Sequence, residues 1–187
     1  MRTLTVPAPT GRVQEDSLRV AGELAAAVGD VKDTGDAPLV FAGSCDVAPG
    51  VLAGLADERC GVVWIDAHAD FNTPSSSQSG FWPGMTLAVV TGHCGEQQRA
   101  TLGAPVVPGS HIALTGLRSL SPAAEAERLT ASDLQVVGWR HGRPEQPVTA
   151  ALDRLAEGVQ RVYVPSTLTP STPRSAVASS TRPYLAD

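Results

Sequence analysis

Short apolar runs alternate along the chain with segments whose apolar residues recur at helical spacing. The runs are rich in β-branched residues and nearly free of polar ones, which is typical of strands covered on both faces. They predict strands at residues 39–42, 61–65, 112–116, 134–137 and 161–164. Helical spacing predicts helices at residues 18–28, 48–55, 85–90, 121–129 and 148–155, the fourth capped by Ser121. The alternation indicates an α/β domain with a mostly parallel sheet.

Composition narrows the class of protein. A length of 187 residues with 42% hydrophobic residues suits one domain with a buried core. The net charge of −5 argues against a nucleic-acid partner, which would require a basic surface. We expect no membrane partner, because neither an apolar run of spanning length nor a signal pattern is present. Three cysteines do not make a disulfide framework, so a cytoplasmic location is expected.

The strongest chemical signal follows the predicted strand at 61–65, where the chain reads Asp66, His68, Asp70 at alternate positions. Alternate residues of an extended segment point to one side, so these three side chains can converge. They lie just past the carboxyl end of a strand, where open α/β sheets build their sites. Two carboxylates and an imidazole suit Mn²⁺, Fe²⁺ or Zn²⁺. A capped turn with one hydrogen-bonded histidine is the alternative that spacing leaves open.

Two flanking segments have the composition of site-lining loops. Residues 71–85 form a polar stretch punctuated by Gly and Pro, of the kind found above a rigid sheet. Residues 43–46 (GSCD) follow the predicted strand at 39–42 and lead into a helix, a turn that can present a ligand or bind an anion. A phosphate-binding loop is not indicated, since the chain has neither a Walker lysine nor a G-x-G-x-x-G pattern.

Together these segments resemble the arginase/agmatinase (ureohydrolase) family. The stretches WIDAHADFNTP and SSSQSGFWPGM resemble its metal signature, VFAGSCDVAPGVLAGL its preceding Gly-Gly-Asp-His-Ser element, and HIALTGLRSLSPAAEAE its middle strand and helix. The resemblance runs from about residue 38 to 164. It implies a three-layer α/β/α fold, two Mn²⁺ ions, hydrolysis of a guanidino or amidino C–N bond in a small substrate, and homo-oligomers.

The resemblance also implies residue roles. Asp66 would bridge both metals, while His68 and Asp70 would each bind one, and a metal-bridging hydroxide would attack the guanidinium or amidine carbon. Asp66 and His68 are on this basis the catalytic residues. Asn72 and Ser79 match positions that hydrogen-bond the α-carboxylate of the substrate in arginase, although ordinary loop capping is an equal alternative.

Two positions depart from the family pattern. Cys45 stands where the family has a histidine ligand; its thiolate could bind a metal, but a buried neutral thiol is the alternative. Pro83 stands where the family often has a proton-shuttling histidine, a role that proline cannot perform. His93, His111 and His141 match no partner pattern, so we expect them to be solvated or to cap turns.

The family's second Asp-x-Asp pair should directly follow a strand such as 161–164, yet residues 165–174 (PSTLTPSTPR) contain no acid. We therefore expect residues 1–164 to form a partial ureohydrolase-like domain without the family's C-terminal strands. Residues 165–187 are expected to be a disordered or out-of-frame tail, too poor in apolar residues to order alone. Loss of the pair should impair activity. A non-catalytic member serving as a scaffold or binding fragment, and a mononuclear metal hydrolase, remain alternatives.

A frameshift hypothesis for the tail can be tested by DNA sequencing. GC-rich synonymous codons for residues 166–174, read in the frame that begins at each third base, encode DLDALDPE, the kind of motif that is missing. We expect the gene around codons 163–166 to encode an Asp-x-Asp pair in that other frame. A coding sequence without such a pair would establish the tail as a genuine linker.

Overall fold

The computed structural model describes residues 3–6, 8–56, 59–120, 122–140, 143–144 and 147–167. The expected helix cap Ser121, His141 and most of the expected tail lie outside these residues. Helices and strands alternate in chain order. They are α1 (Val13–Asp33), α2 (Ala48–Leu55), β1 (Cys60–Ile65), α3 (Thr86–Val90), α4 (Glu96–Leu102), β2 (Ile112–Thr115), α5 (Ala123–Ala131), β3 (Gln135–Val137), β4 (Trp139–Arg140), β5 (Arg143–Pro144), α6 (Val148–Gly158) and β6 (Arg161–Tyr163).

The main sheet has four parallel strands in the order β3-β2-β1-β6. In the register, Val63 of β1 lies opposite Ala113 of β2, and Gly61 of β1 lies opposite Val162 of β6. A separate antiparallel pair joins β4 and β5. The parallel sheet predicted from the apolar runs is thus confirmed, and β1 lies inside it with a paired neighbour on each side.

Side chains of β1 alternate between two hydrophobic cores on opposite faces of the sheet. Val62 and Trp64 lie in the larger core, which includes residues of α1 and α2. Val63 lies in a smaller core with Ala151 and Leu155 of α6. Helices therefore cover both faces, and the three-layer α/β/α arrangement is confirmed. Among the described helices, none is both long enough and apolar enough to cross a membrane.

The predicted strand at residues 39–42 is wrong. The segment has no strand partner among the described residues, and its side chains Leu39 and Phe41 are 80% and 89% exposed. An apolar run favours a strand only where a neighbouring backbone supplies hydrogen-bond partners, and here no described strand lies in pairing position. The other four predicted strands are confirmed as β1, β2, β3 and β6.

Helix α4 was not predicted, because its sequence EQQRATL has no apolar stripe. Its ends are defined by Gly95 and Gly103, which take left-handed φ angles of 67° and 66°. Its one buried residue is Arg99, whose guanidinium donates hydrogen bonds to the carbonyl oxygens of Val89 and Cys94. A buried arginine that binds backbone carbonyls therefore anchors α4, where an apolar face would ordinarily do so.

Helices α1 and α2 pack with their backbones in close approach, and two glycines of α2 permit it. A Cβ atom on Gly50 would lie 2.3 Å from the Ala21 carbonyl oxygen, and one on Gly54 would lie 2.4 Å from the Ala25 carbonyl oxygen. Both distances are below any tolerable contact, so only glycine fits. This packing fixes the helix that follows Cys45, and hence the position of that thiol.

We expect Gly54→Ala to destabilise the protein by about 1–3 kcal/mol, since the added methyl group overlaps α1. Gly29→Ala is the matched control: it lies on α1 at the same contact, where a Cβ would be 3.7 Å from the Gly54 carbonyl oxygen, an ordinary distance. The control should be neutral or slightly stabilising, because glycine weakens a helix interior. Urea unfolding measures both, and equal effects would contradict the packing argument.

Candidate active site

The candidate site lies at the carboxyl end of β1. The chain connects β1 to β2 on one side, whereas β6 lies on the other side, so the direction of the connections changes at this point. In open α/β sheets a crevice forms outside the strand ends at such a switch point. The Asp66 N–H donates to the Thr115 carbonyl oxygen at 3.1 Å, which continues the pairing with β2 into the site.

Asp66 and His68 form one part of the site. The Asp66 side chain is 3% exposed, and its Oδ1 accepts the backbone N–H of His68 at 3.0 Å. The His68 Nδ1 lies 3.4 Å from the same oxygen, while the imidazole is 55% exposed. The two predicted side chains are thus adjacent. The local geometry also contains the capped turn that the sequence left as an alternative.

Asp70 forms the second part of the site and adopts a left-handed backbone conformation, with φ at 49°. Its carbonyl oxygen accepts the N–H groups of Leu87 at 2.9 Å and Ala88 at 3.3 Å, in the first turn of α3. These donors have no partner within their own helix, so Asp70 caps it. The Asp70 side chain is buried, and its Oδ2 has no hydrogen-bond partner within the described part of the chain.

Burial raises the pKa of Asp70 to about 7, and the negative charges of Asp66 and Glu125 add to the increase. A hydrogen bond from the Cys45 thiol acts in the opposite direction. Carboxylates held close together in a low-dielectric interior disfavour each other's ionised form. A cation bound between Asp66 and Asp70 would relieve this repulsion, and the unpartnered Oδ2 of Asp70 is a free acceptor for one.

Cys45 lies beside Asp70, although the two residues are 25 positions apart in the chain. Its Sγ lies 3.5 Å from the Pro83 carbonyl oxygen and 3.8 Å from the Thr86 hydroxyl. Burial raises the pKa of the Cys45 thiol, and the charge of Asp70 raises it further. The surroundings therefore favour a neutral thiol that donates hydrogen bonds over a metal-binding thiolate.

Asn72 and Ser79 lie in the loop that follows β1. The Asn72 side chain is buried, and its Oδ1 accepts the Ser76 hydroxyl at 3.1 Å. Ser79 is exposed, and its Oγ accepts the Phe81 N–H at 3.2 Å. Both side chains thus make hydrogen bonds within the loop, which is the capping role that the sequence left open for them.

Two residues of α5 organise this loop, and the sequence reasoning missed them. Glu125 is 4% exposed, and its Oε1 accepts the Phe71 N–H at 3.0 Å. Arg128 Nη1 lies 3.4 Å from the Phe71 carbonyl oxygen and donates to the Ser76 hydroxyl at 3.1 Å. The available signal was that Glu125 lies four residues before the buried Leu129, and a carboxylate in a buried helical stripe requires a specific partner.

The donor set fits part of a metal centre. Its two buried carboxylates and imidazole are ligands that divalent cations prefer, and Asp70 offers an unpartnered oxygen. However, no group of three or more His, Cys, Asp or Glu side chains in the described ranges is placed to hold one ion. The described residues alone therefore do not complete the two-metal site that the resemblance implies.

The segment after β6 runs directly beside the site. The Ile65 N–H donates to the Pro165 carbonyl oxygen at 3.0 Å, and the Thr167 N–H donates to the Ile65 carbonyl oxygen at 3.0 Å. Ser166 lies opposite Ile65 in an isolated parallel bridge. The position where the family's second acidic pair was expected thus carries the hydroxyl side chains of Ser166 and Thr167.

Comparison of the sequence with protein families matches residues 5–167 to the arginase family. The arginase of Bacillus caldovelox is 44% identical over 102 residues, which are 52% of this chain and 34% of that protein. The arginase of Agrobacterium fabrum is 30% identical over 138 residues, 69% of this chain and 42% of that protein. The chain thus spans about a third to two fifths of the length of these relatives.

Solved structures give the same result. The arginase of Bacillus cereus matches with a TM-score of 0.72 and 29% identity, over 80% of this chain and 54% of that one. The arginase of Bacillus caldovelox matches with a TM-score of 0.71 and 30% identity, over 88% and 56%. A formimidoylglutamase of Bacillus subtilis shares the fold, with a TM-score of 0.61 and 13% identity.

We expect Glu125→Ala to destabilise the protein by about 1–3 kcal/mol, because it leaves the buried Phe71 N–H without an acceptor. Glu125→Gln keeps an oxygen at the same position, so its free energy of unfolding should fall much less. Urea unfolding gives the free energies, and hydrogen exchange at residues 71–77 reports whether the loop opens. Equal losses in the two variants would show that the hydrogen bond to Phe71 contributes nothing.

Proposed function

The chain belongs to the arginase family, and we propose that its site is that of a metal-dependent ureohydrolase acting on a guanidino or amidino C–N bond. The observation that carries this proposal is the position of Asp66, His68 and Asp70, at the carboxyl end of a central parallel strand and next to the switch point of the sheet. The relatives that are named arginases support the guanidino class of substrate.

In this proposal Asp66, His68 and Asp70 hold manganese, and Asp66 and His68 are the catalytic residues. A bound metal ion would lower the pKa of a water molecule and so supply a nucleophile at neutral pH. Glu125 and Arg128 position the loop that begins at Asp70, through the Phe71 peptide. Asn72 and Ser79 are the proposed contacts to the substrate carboxylate.

We further propose that this chain by itself binds at most one ion, weakly, and has impaired activity. The supporting observation is the incomplete donor set within the described residues, together with hydroxyl side chains beside Ile65. The same observation favours the second candidate, a non-catalytic family member that serves as a scaffold or binding fragment. A mononuclear hydrolase is the third candidate, favoured by the adjacent Asp66 and His68 side chains and by the unpartnered Oδ2 of Asp70 among the described residues.

The cellular setting is part of the proposal. The three cysteines are free thiols, which is consistent with a reducing cytoplasm. The net charge of −5 supports a small-molecule substrate over a nucleic-acid partner. Homo-oligomers are proposed from family resemblance.

A Mn²⁺ titration followed by electron paramagnetic resonance tests the proposed metal site. We expect no more than one ion per chain, bound weakly, and a loss of at least tenfold in affinity in Asp70→Asn. The matched control is Asp153→Asn, an exposed carboxylate on α6, which should leave affinity unchanged. Since Asp70→Asn removes a buried charge without changing shape, circular dichroism should show an intact fold.

Assays of product release with arginine, agmatine and formiminoglutamate complete the test. Turnover well below that of the Bacillus caldovelox arginase under the same conditions supports the proposal of impaired activity. Two tightly bound ions with full turnover would contradict it. Binding of no ion, in a folded protein, would favour the non-catalytic candidate.

A further inference from the structure

The Ser76 hydroxyl lies at the centre of a hydrogen-bond network in the loop that follows β1. Its oxygen accepts a hydrogen bond from Arg128 Nη1 of α5 at 3.1 Å and another from the Thr73 backbone N–H at 2.9 Å. The same oxygen lies 3.1 Å from Asn72 Oδ1. Arg128 reaches this loop from 52 positions along the chain. We call the side chains of Arg128, Ser76 and Asn72 the amide relay.

Two of these contacts fix the direction of the third. A guanidinium and a backbone N–H can only donate hydrogen bonds, so Arg128 and Thr73 occupy both lone pairs of the Ser76 oxygen. The hydroxyl hydrogen must then go to an acceptor, and Asn72 Oδ1 at 3.1 Å is the nearest. The Thr73 hydroxyl and carbonyl oxygens both lie farther away, at 3.4 Å. That carbonyl already accepts the backbone N–H groups of Ser76 and Ser77.

The relay therefore determines which edge of the Asn72 amide faces Ser76. The amide oxygen must face it, because an NH2 group turned that way would add a third donor to an oxygen whose two lone pairs are occupied. An amide carries its oxygen and its NH2 group on opposite sides, so the Asn72 NH2 group faces away from Ser76. Donation into Oδ1 by a hydroxyl that itself accepts from a guanidinium polarises the amide and strengthens the NH2 group as a donor.

Ser79, the other proposed contact to a substrate carboxylate, is also arranged as a donor. Its Oγ accepts the Phe81 N–H at 3.2 Å, so its hydroxyl hydrogen is directed to another acceptor. A carboxylate has two oxygens that only accept hydrogen bonds. Asn72 and Ser79 thus both offer what a carboxylate requires. An Asn72 amide turned the other way would offer an oxygen, which suits an ammonium group instead.

We propose that Arg128 and Ser76 are positioning residues that hold the Asn72 amide with its NH2 edge toward the substrate, and that they thereby select substrates with a carboxylate. The inference rests on the proposed function, in which Asn72 contacts the substrate carboxylate. Arg128 and Ser76 do not touch the substrate: Arg128 acts through Ser76, and Ser76 acts through Asn72.

Binding of L-arginine and agmatine to the full chain tests the proposal, because these two guanidino compounds differ only in the carboxylate. NMR titration without Mn²⁺ gives both dissociation constants and follows the side-chain NH2 signal of Asn72, which is assigned by its loss in Asn72→Asp. We expect arginine to bind about tenfold more tightly than agmatine, and the NH2 signal to shift with arginine and not with agmatine. Absence of the preference or of the shift overturns the proposal.

Ser76→Ala removes the relay while leaving the contact between Arg128 and the Phe71 carbonyl oxygen in place. The preference for arginine should fall about fivefold with agmatine binding unchanged, because the amide can then turn over. The matched control is Ser75→Ala, which removes an exposed hydroxyl of the same loop that bonds to Thr73 and lies outside the relay. The control should keep the preference. Equal weakening of both ligands in Ser76→Ala would indicate a general loss of loop structure and overturns the proposal.

Substitutions of Arg128 test the first step of the relay. Arg128→Lys keeps a cationic donor and should retain most of the preference for arginine, whereas Arg128→Met keeps the length of the side chain without a donor and should lose it. Urea unfolding identifies any variant that is not folded. Equal preferences in the two folded variants contradict a role for Arg128.

The outcomes separate this proposal from the proposed function. Mn²⁺ binding and turnover, with an unchanged preference in Ser76→Ala, would support the function and overturn the relay. A preference that depends on Ser76, in a chain that neither binds Mn²⁺ nor turns over any substrate, would support the relay and overturn the metal-dependent activity.

Discussion

The burial of two like charges at the end of β1 is the constraint on which the site depends. Asp66 and Asp70 are 4% and 7% exposed, and burial together with the charge of Asp66 raises the pKa of Asp70. Such a pair persists only where the surrounding structure holds it. Here β1 is fixed by a strand on each side and by a core on each face, so the folding energy of the sheet keeps the carboxylates in place.

Three separate elements of the fold surround Asp70. The first turn of α3 donates backbone N–H groups to the Asp70 carbonyl oxygen. The turn before α2 supplies the Cys45 thiol, and α5 supplies the buried carboxylate of Glu125. With two further carboxylates nearby, Asp70 retains an unpartnered oxygen among the described residues. A positive charge placed here would offset the repulsion among these carboxylates.

The segment after β6 borders the site. Ile65, one position before Asp66, donates its N–H to the Pro165 carbonyl oxygen and accepts the Thr167 N–H. Ser166 lies opposite Ile65 in this pairing. Backbone pairing thus holds both sides of the chain where it enters the site, because Asp66 pairs with Thr115 on the other side.

The sequence by itself determined what is local. Apolar periodicity predicted β1, β2, β3 and β6, and the alternate spacing of Asp66 and His68 predicted that these two side chains lie together. Asp70 departs from the extended segment that its spacing implied, since its φ is 49°. The tertiary structure decided those contacts that join segments far apart in the chain. It gave residues 39–42 no strand partner among the described residues, and it joined Glu125 to Phe71 across 54 positions. The periodicity of apolar residues indicates whether a residue is suited to burial. It does not indicate which strand pairs with a given strand or which charged side chains lie close together, because those contacts arise from the packing of elements far apart in the chain.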